Sequence, residues 1–221
     1  MSLAAIALSL LPAAKNTLIL TVVCYPLAVI VALVFATLRL ARIPVLSQLV
    51  AIVVDLLRIT PLLLQLLFVY YGLPLIGVRW DAWPSAAATL AVHIGAYQSE
   101  IIRSAYLSVP KGLSEAARVL GMSNRIRVWR VVMPIALRVA IPPTASTLLD
   151  TFRSTAVVSL LGVDDVLFRA QTLISSALAL GTGGGGLITT PVYLLVMAFF
   201  VGVGYPAARL LRLFERRVAL P

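Results

Sequence analysis

Several ionisable residues of this 221-residue chain stand inside long apolar runs. In hydrocarbon such a group costs about 2.5–3.5 kcal/mol at a helix centre on insertion scales, so it must face protein or a water-filled path. His93, Tyr97, Glu100 and Ser104 follow i, i+4, i+7, i+11 spacing, which places all four on one helical stripe. Asp55, Arg58, Leu62 and Gln65 share a second stripe, and Thr147, Asp150, Ser154 and the adjacent Arg153 project together. The chemistry open to such stripes is recognition of charge away from bulk water. A cation meets a carboxylate, an anion meets an ammonium, and neutral donors offset the desolvation. A structural reading stands beside it. Asp55 with Arg58, Glu100 with Arg103 and Asp150 with Arg153 are each three residues apart, so each can be an internal pair that holds helices in register. His93 equally suits a helix-packing donor.

Bond-making chemistry finds no support. The chain has one histidine and one cysteine, so no Ser-His-Asp or Cys-His arrangement has supporting spacing, and no Cys/His cluster resembles a metal site. No Gly-x-x-x-x-Gly-Lys-[Ser/Thr] phosphate loop is present; the run Gly183 to Gly186 is followed by Leu187 and lacks the lysine. It reads as part of a flexible Gly-rich loop, Leu180 to Thr190. The expectation is a chain with no catalytic residue, no metal and no cofactor of its own. Cys24, amid an apolar run, reads as a small buried hydrophobe.

The elements that must carry these stripes are membrane spans. The chain is 61% hydrophobic and 12% charged, with mean hydropathy +1.04. A water-soluble chain this short could not hide so much apolar surface in one core. The surplus must face lipid. A span needs roughly 20 apolar residues. About five candidates follow: Asn16 to Leu38, Val45 to Ile76 (long enough to begin as an interfacial helix), Ser85 to Tyr106, Val131 to Leu161, and Pro191 to Leu211. Met1 to Ala14 is apolar without a positive n-region, so it reads as an interfacial lead into the first span and not as a cleaved signal. The link Gly77 to Pro84 holds Trp80 and Trp83, which suit headgroup depth. Val163 to Ser176 reads as a short outer helix. Prolines Pro61, Pro142 and Pro143 suit kinks.

The net charge of +10 would suggest nucleic acid in a soluble protein, but here it is laid out as topology. Twelve of the eighteen basic residues lie in three strips: Arg39 and Arg42; Arg103, Lys111, Arg118, Arg125, Arg127 and Arg130; Arg209, Arg212, Arg216 and Arg217. The other side holds Lys15, Arg79 and Arg169, and Arg58, Arg138 and Arg153 fall in or near spans. The N-terminus is thus expected outside and the C-terminus inside, a parity that five crossings require. No inverted repeat and no soluble domain interrupts the chain, which reads as one membrane domain over 1–221 with a core of about 16–217.

The longest polar stretch, Leu107 to Arg130, is the most informative. Pro110, Lys111 and Gly112 break the preceding helix, and Leu113 to Leu120 can form a short helix with Ala116 and Ala117 on its surface. Gly121 then supplies a turn. Such a helix suits docking against another protein, or is an ordinary amphipathic loop helix. Glu115, Ala116 and Ala117, three residues, Gly121, nine residues, then Val131 to Pro134 resemble the EAA loop of ABC importer permeases, with its Glu-Ala-Ala, Gly and Ile-x-Leu-Pro elements. Arg58 to Pro61 with Gln65, Tyr71-Gly72, Gly95 to Tyr97, Glu100, Val109 to Gly112, Pro142-Pro143, Val158 to Leu160, Gly162-Val163 and Leu213 to Arg217 resemble, more narrowly, the permeases for polar amino acids and opines. That resemblance covers about Asn16 to Arg217.

The resemblance implies an all-α integral membrane protein of the type I ABC importer permease fold, with the loop around Glu115 to Gly121 forming a cytoplasmic coupling helix in a groove of an ATPase subunit. It implies a multi-pass protein of a bacterial inner membrane that moves polar amino acids or opine-like solutes inward by alternating access. Its partners would be a second permease subunit (identical or similar), two cytoplasmic ATPases that bind ATP and Mg, and an extracytoplasmic binding protein, with membrane lipid around it and no nucleic acid. Glu115, Ala116, Ala117 and Gly121 would carry the coupling. Arg153 could meet a ligand carboxylate, and Asp150 or Glu100 its ammonium; with Arg58, Gln65, His93, Tyr97 and Ser154 they are the candidates for the substrate pathway. One departure from the family matters: many members carry Lys-Asp-Thr-Ser where this chain has Arg153, Ser154, Thr155 and Ala156, so a carboxylate is replaced by Ser154. A permease for another small solute, and a channel or secondary transporter subunit without an ATPase, are the alternatives.

Overall fold

The computed structural model describes residues 3–41, 43–180 and 185–218, and their regular structure is entirely helical. Arg42 lies outside the described residues. Helix α1 (Leu3–Leu40) is apolar around its whole circumference, the signature of a helix surrounded by lipid or protein. Its 38 residues span roughly 57 Å, so the stretch before Asn16 is not a separate interfacial segment but the first turns of the same helix. Nothing between Ala5 and Asn16 stops it, since Pro12 sits inside without breaking it.

Helix α2 (Pro44–Ile59) and the short α3 (Leu62–Leu67) meet at a bend of 106°. The expected Val45 to Ile76 span is thus two pieces, because Pro61 has no N–H to continue α2 and forces the residue before it out of helical geometry. Beyond α3 the backbone widens through Phe68–Gly72, tightens through Leu73–Ile76, and stops at Gly77 with φ +88°. Helix α4 (Ala82–Leu107) follows. The polar stretch folds into α5 (Lys111–Val119) and α6 (Asn124–Arg127), and a widened turn, Val128–Val132, joins α6 to α7 (Met133–Val158). Helix α8 (Val166–Ala179) and the long α9 (Gly185–Val218) complete the order. The expected loop Leu180 to Thr190 is therefore already helical from Gly185; residues 181–184 lie outside the described residues.

Three continuous helical runs among the described residues are long and apolar enough to cross a membrane: Ala5–Leu40, Asn124–Leu161 and Ile188–Glu215. The bent pair α2 and α3 makes a fourth if it crosses as one unit. The 26 residues of α4 give it the length, roughly 39 Å, but its polar stripe keeps it below the other spans in hydropathy.

The chain divides into two compact units. The first comprises Met1–Pro26, Thr60–Ala91 and Leu149–Ala207; the second comprises Leu27–Ile59, Val92–Leu148 and Ala208–Pro221. In the first unit Leu20, Cys24, Leu66, Ala86, Ala87, Leu90 and Val158 form one buried cluster, and Ile6, Leu10, Ala13, Val166, Ala170 and Val192 another. Cys24 is fully buried, with its Sγ 3.7 Å from the Ala87 carbonyl oxygen. Polar bonds tie α1 to α8 here. Asn16 Nδ2 donates to the Asp164 carbonyl at 3.0 Å, and the Val166 amide donates to Thr17 Oγ1 at 3.2 Å. Asp165 caps α8 by accepting the Phe168 amide at 2.8 Å, and Asp164 holds Arg169 through two bonds, 3.0 and 2.5 Å. Burial pushes the Asp165 carboxyl up to about 6, against the pull of the amides around it.

In the second unit α1 and α4 approach closely because both present small residues. Ala28, Ala32 and Ala36 are buried, and a Cβ at Gly95 would lie 2.8 Å from the Val31 side chain and 2.9 Å from the Ala28 carbonyl oxygen. Lipid tails are as apolar as leucine, so association comes from this backbone proximity and packing, not from expelled water. The opposite surface of α1 shows Val22, Ile30 and Val34 outward, as lipid contact requires.

Candidate functional site

The sequence-derived stripes fall into separate clusters. In the second unit Arg58, His93 and Tyr97 come together. Tyr97 Oη donates to the Arg58 carbonyl at 2.7 Å, and the Arg58 guanidinium lies 5.4 Å from the Tyr97 ring centroid, a cation–π arrangement. The His93 ring is 5.2 Å from that of Tyr97, and His93 also hydrogen-bonds the Leu57 backbone. Asp55 approaches Arg58 only loosely, at 3.7 Å, and Arg58 Nε is buried without a hydrogen-bond partner. This cluster can therefore present a cation with unused donor capacity, framed by an aromatic face.

Glu100, on the same α4 stripe, is already occupied. Its Oε2 accepts from Arg39 of α1 and from Arg103 Nε at 3.1 Å, while Oε1 accepts from Arg103 Nη2 at 2.5 Å and from Ser104 at 3.3 Å. One carboxylate with two guanidiniums, all largely buried, is a clamp between the ends of α1 and α4. Further up α4, fully buried Gln98 donates to Thr147 of α7 at 2.6 Å. Spacing along the chain singles out neither Arg39 nor Gln98, since the partner of each lies on another helix. Arg39 read as part of a basic strip, and its partner lies on another helix, 61 residues away.

In the first unit Asp150 and Arg153 sit 3.7 Å apart with side chains 58% and 69% exposed, and half-buried Ser154 stands beside them. Such a pair is loose enough to exchange partners. Gln65 is buried and its Nε2 donates to the Thr60 carbonyl at 2.9 Å, which braces the bend at Pro61.

The polar stretch supplies a separate surface. On α5, Glu115 and Ala116 are exposed while Ala117 is buried. Gly121 adopts φ +78°, its amide donates to the Arg118 carbonyl at 3.0 Å, and the Met122 amide donates to the Ala117 carbonyl at 3.1 Å. These two bonds end a helix in a left-handed turn that an L side chain resists. Leu113, Val119 and Leu120 stay exposed on the same short helix. The nine-residue helix thus leaves an apolar and small-residue face open.

The family model for the binding-protein-dependent transport system inner membrane component matches residues 25–220. The chain is 36% identical over 157 residues to the L-cystine transport system permease protein TcyB of Bacillus subtilis strain 168, covering 71% of this chain and 67% of that one. It is 31% identical over 217 residues to the nopaline transport system permease protein NocM of Agrobacterium fabrum strain C58, covering 93% and 86%. Its structure resembles that of an amino acid ABC transporter crystallised with histidines, at TM-score 0.85 and 28% identity, over 95% of this chain and 94% of that one.

Proposed function

The chain belongs to the family of binding-protein-dependent transport system inner membrane components and is an amino-acid-type ABC importer permease subunit, and on that premise we propose how it couples and what it carries. The observation that carries the coupling is the geometry of α5: exposed Glu115 and Ala116, with the left-handed Gly121 closing the helix. We place this helix on the cytoplasmic face, in a groove of an ATPase subunit that binds ATP and Mg. Closure of two such ATPases would pull α5 and alternate the access of the permease. This chain would pair with an identical or similar permease, receive solute from an extracytoplasmic binding protein, and keep its N-terminus outside and C-terminus inside. The basic strips support that orientation. A cysteine at Ala116 should cross-link to the ATPase, and deletion of 115–121 should abolish ATPase association. Conduction that survives the deletion would refute the importer mechanism in favour of a channel.

The cargo we propose is a zwitterionic polar amino acid or an opine-like derivative of one. Asp150 and Arg153 form an open, loose pair whose members could separate to meet an ammonium and a carboxylate. Within the other unit Arg58, whose buried Nε has no hydrogen-bond partner, lies over the Tyr97 face and presents a cation by itself. Glu100 is reassigned from ligand to clamp, because its acceptors are filled. Arg153→Ala should impair uptake by at least ten-fold with assembly intact, since an exposed pair contributes at most about 1 kcal/mol to stability. Normal uptake by this variant would remove Arg153 from the pathway.

A further inference from the structure

We propose that the groove at the start of the α6–α7 run binds the headgroup of an anionic phospholipid in the cytoplasmic leaflet, an inference that rests on placing residues 107–130 at the cytoplasmic face. The groove has a volume of about 260 Å³ and is lined by Arg125, Ile126, Trp129 and Arg130. Arg125 lies one helical turn from Trp129, and Ile126 one turn from Arg130, so two guanidiniums flank an apolar floor. Neither Arg125 nor Arg130 enters an ion pair among the described residues, whereas Arg39, Arg58, Arg103, Arg153 and Arg169 all do. Trp129 is 65% exposed and Ile126 45%.

The depth of this groove selects the occupant. The helical run Asn124–Leu161 is long and apolar enough to cross the bilayer, and residues 125–130 are its first turns, the polar end just before the apolar stretch from Val131, which suits headgroup depth. An indole is favoured there because one edge is apolar and the other wet. A guanidinium offers a phosphate two parallel donors. A phosphodiester over Arg125 and Arg130, with its glycerol and upper acyl carbons on Ile126 and Trp129, satisfies both halves together. Free inorganic phosphate would leave the apolar half uncovered. A choline headgroup brings its own cation against two arginines. A net-negative lipid is therefore preferred, by roughly five-fold per guanidinium and roughly thirty-fold for the two.

The test uses the whole transporter, this chain with its companion subunits, in nanodiscs of equal phosphatidylglycerol and phosphatidylcholine. Co-isolated lipid is counted by native mass spectrometry. Phosphatidylglycerol should be enriched on the wild type, and Arg125→Gln with Arg130→Gln should lower that enrichment by roughly thirty-fold. Arg125→Lys with Arg130→Lys should keep most of it, and Arg79→Gln, elsewhere in the chain, should change nothing. Equal enrichment in the wild type and the glutamine double variant overturns the site. So does loss of the ATPase subunit from that variant with lipid unchanged, which would mark a protein-docking face. A cysteine at Ser123 in a Cys24→Ala background separates the two layers of the inference. Labelling by an impermeant maleimide from the outer side would bring down the cytoplasmic placement, and with it the functional reading. Inward accessibility without phosphatidylglycerol enrichment overturns the lipid site alone.

Discussion

Replacing Glu100 by Gln probes whether this carboxylate clamps helices or binds cargo. In the wild type it neutralises Arg39 and Arg103 at once, with side chains only 12%, 21% and 27% exposed for Arg39, Glu100 and Arg103. The amide keeps the shape but cancels the charge. Two guanidiniums then face each other; at roughly 5 Å and an effective dielectric constant of about 20, they repel by about 3 kcal/mol. Loss of charge-assisted hydrogen bonds acts in the same direction, and relaxation of the outermost arginine offsets part of it. A net destabilisation of about 2–4 kcal/mol follows, or a fall in melting temperature of about 5–10 °C. The assay is thermal unfolding of the purified transporter in detergent, run beside substrate-stimulated ATPase activity. Arg39→Gln alone should cost less, because Glu100 keeps Arg103. The double variant Glu100→Gln with Arg39→Gln should recover part of the loss, since one of the repelling charges is gone. An unchanged melting temperature for Glu100→Gln, with substrate stimulation abolished, would refute the clamp and return Glu100 to the ligand.

Other consequences are as specific. Gly121→Ala places a Cβ in open space but at φ +78°, so its cost is backbone strain alone, about 1–2 kcal/mol, read as weaker ATPase association with the membrane helices intact. Gly95→Ala should destabilise by about 1–3 kcal/mol, because its Cβ meets the Ala28 carbonyl as well as the movable Val31 side chain; unchanged thermal stability would show that α1 and α4 can separate without loss. Asp165 gives a pH signature. Its folded pKa of about 6 lies above the ordinary aspartate value of 3.8, so the folded state binds the extra proton between these values. Stability from this group is present at the acid end and declines as pH rises through about 6, by about 3 kcal/mol in all. Asp165→Asn keeps the capping oxygen without the charge, so it should melt higher than wild type at pH 8 and equal to it near pH 4; a pH-independent difference would contradict the buried carboxylate.

Spacing alone made much of this protein legible. A turn ended by Gly121 after Glu115, Ala116 and Ala117 was readable because it depends on neighbours in the chain and on a backbone angle that glycine tolerates. The i, i+3 pairs Asp55 with Arg58 and Asp150 with Arg153 were readable for the same reason, since helical geometry converts sequence distance into spatial distance. Helix ends were less so. The first span begins before Asn16 and the last before Pro191, because an apolar sequence without a capping residue contains no stop signal; the 106° bend at Pro61 also divided a run that hydropathy reads as continuous.

Composition and periodicity determined that the chain is helical, embedded in lipid, and interrupted by a polar segment that a glycine turn divides, since each of these is a property of local chemistry. The tertiary structure decided which charges are free. Arg39 reaches Glu100 across 61 residues, Asn16 and Thr17 reach the start of α8, and Gln98 reaches Thr147. No sequence interval encodes those distances. In a low-dielectric interior a charge with a partner and the same charge without one differ by several kcal/mol, so the pairing separates the clamp at Glu100 from the open pair at Asp150 and Arg153.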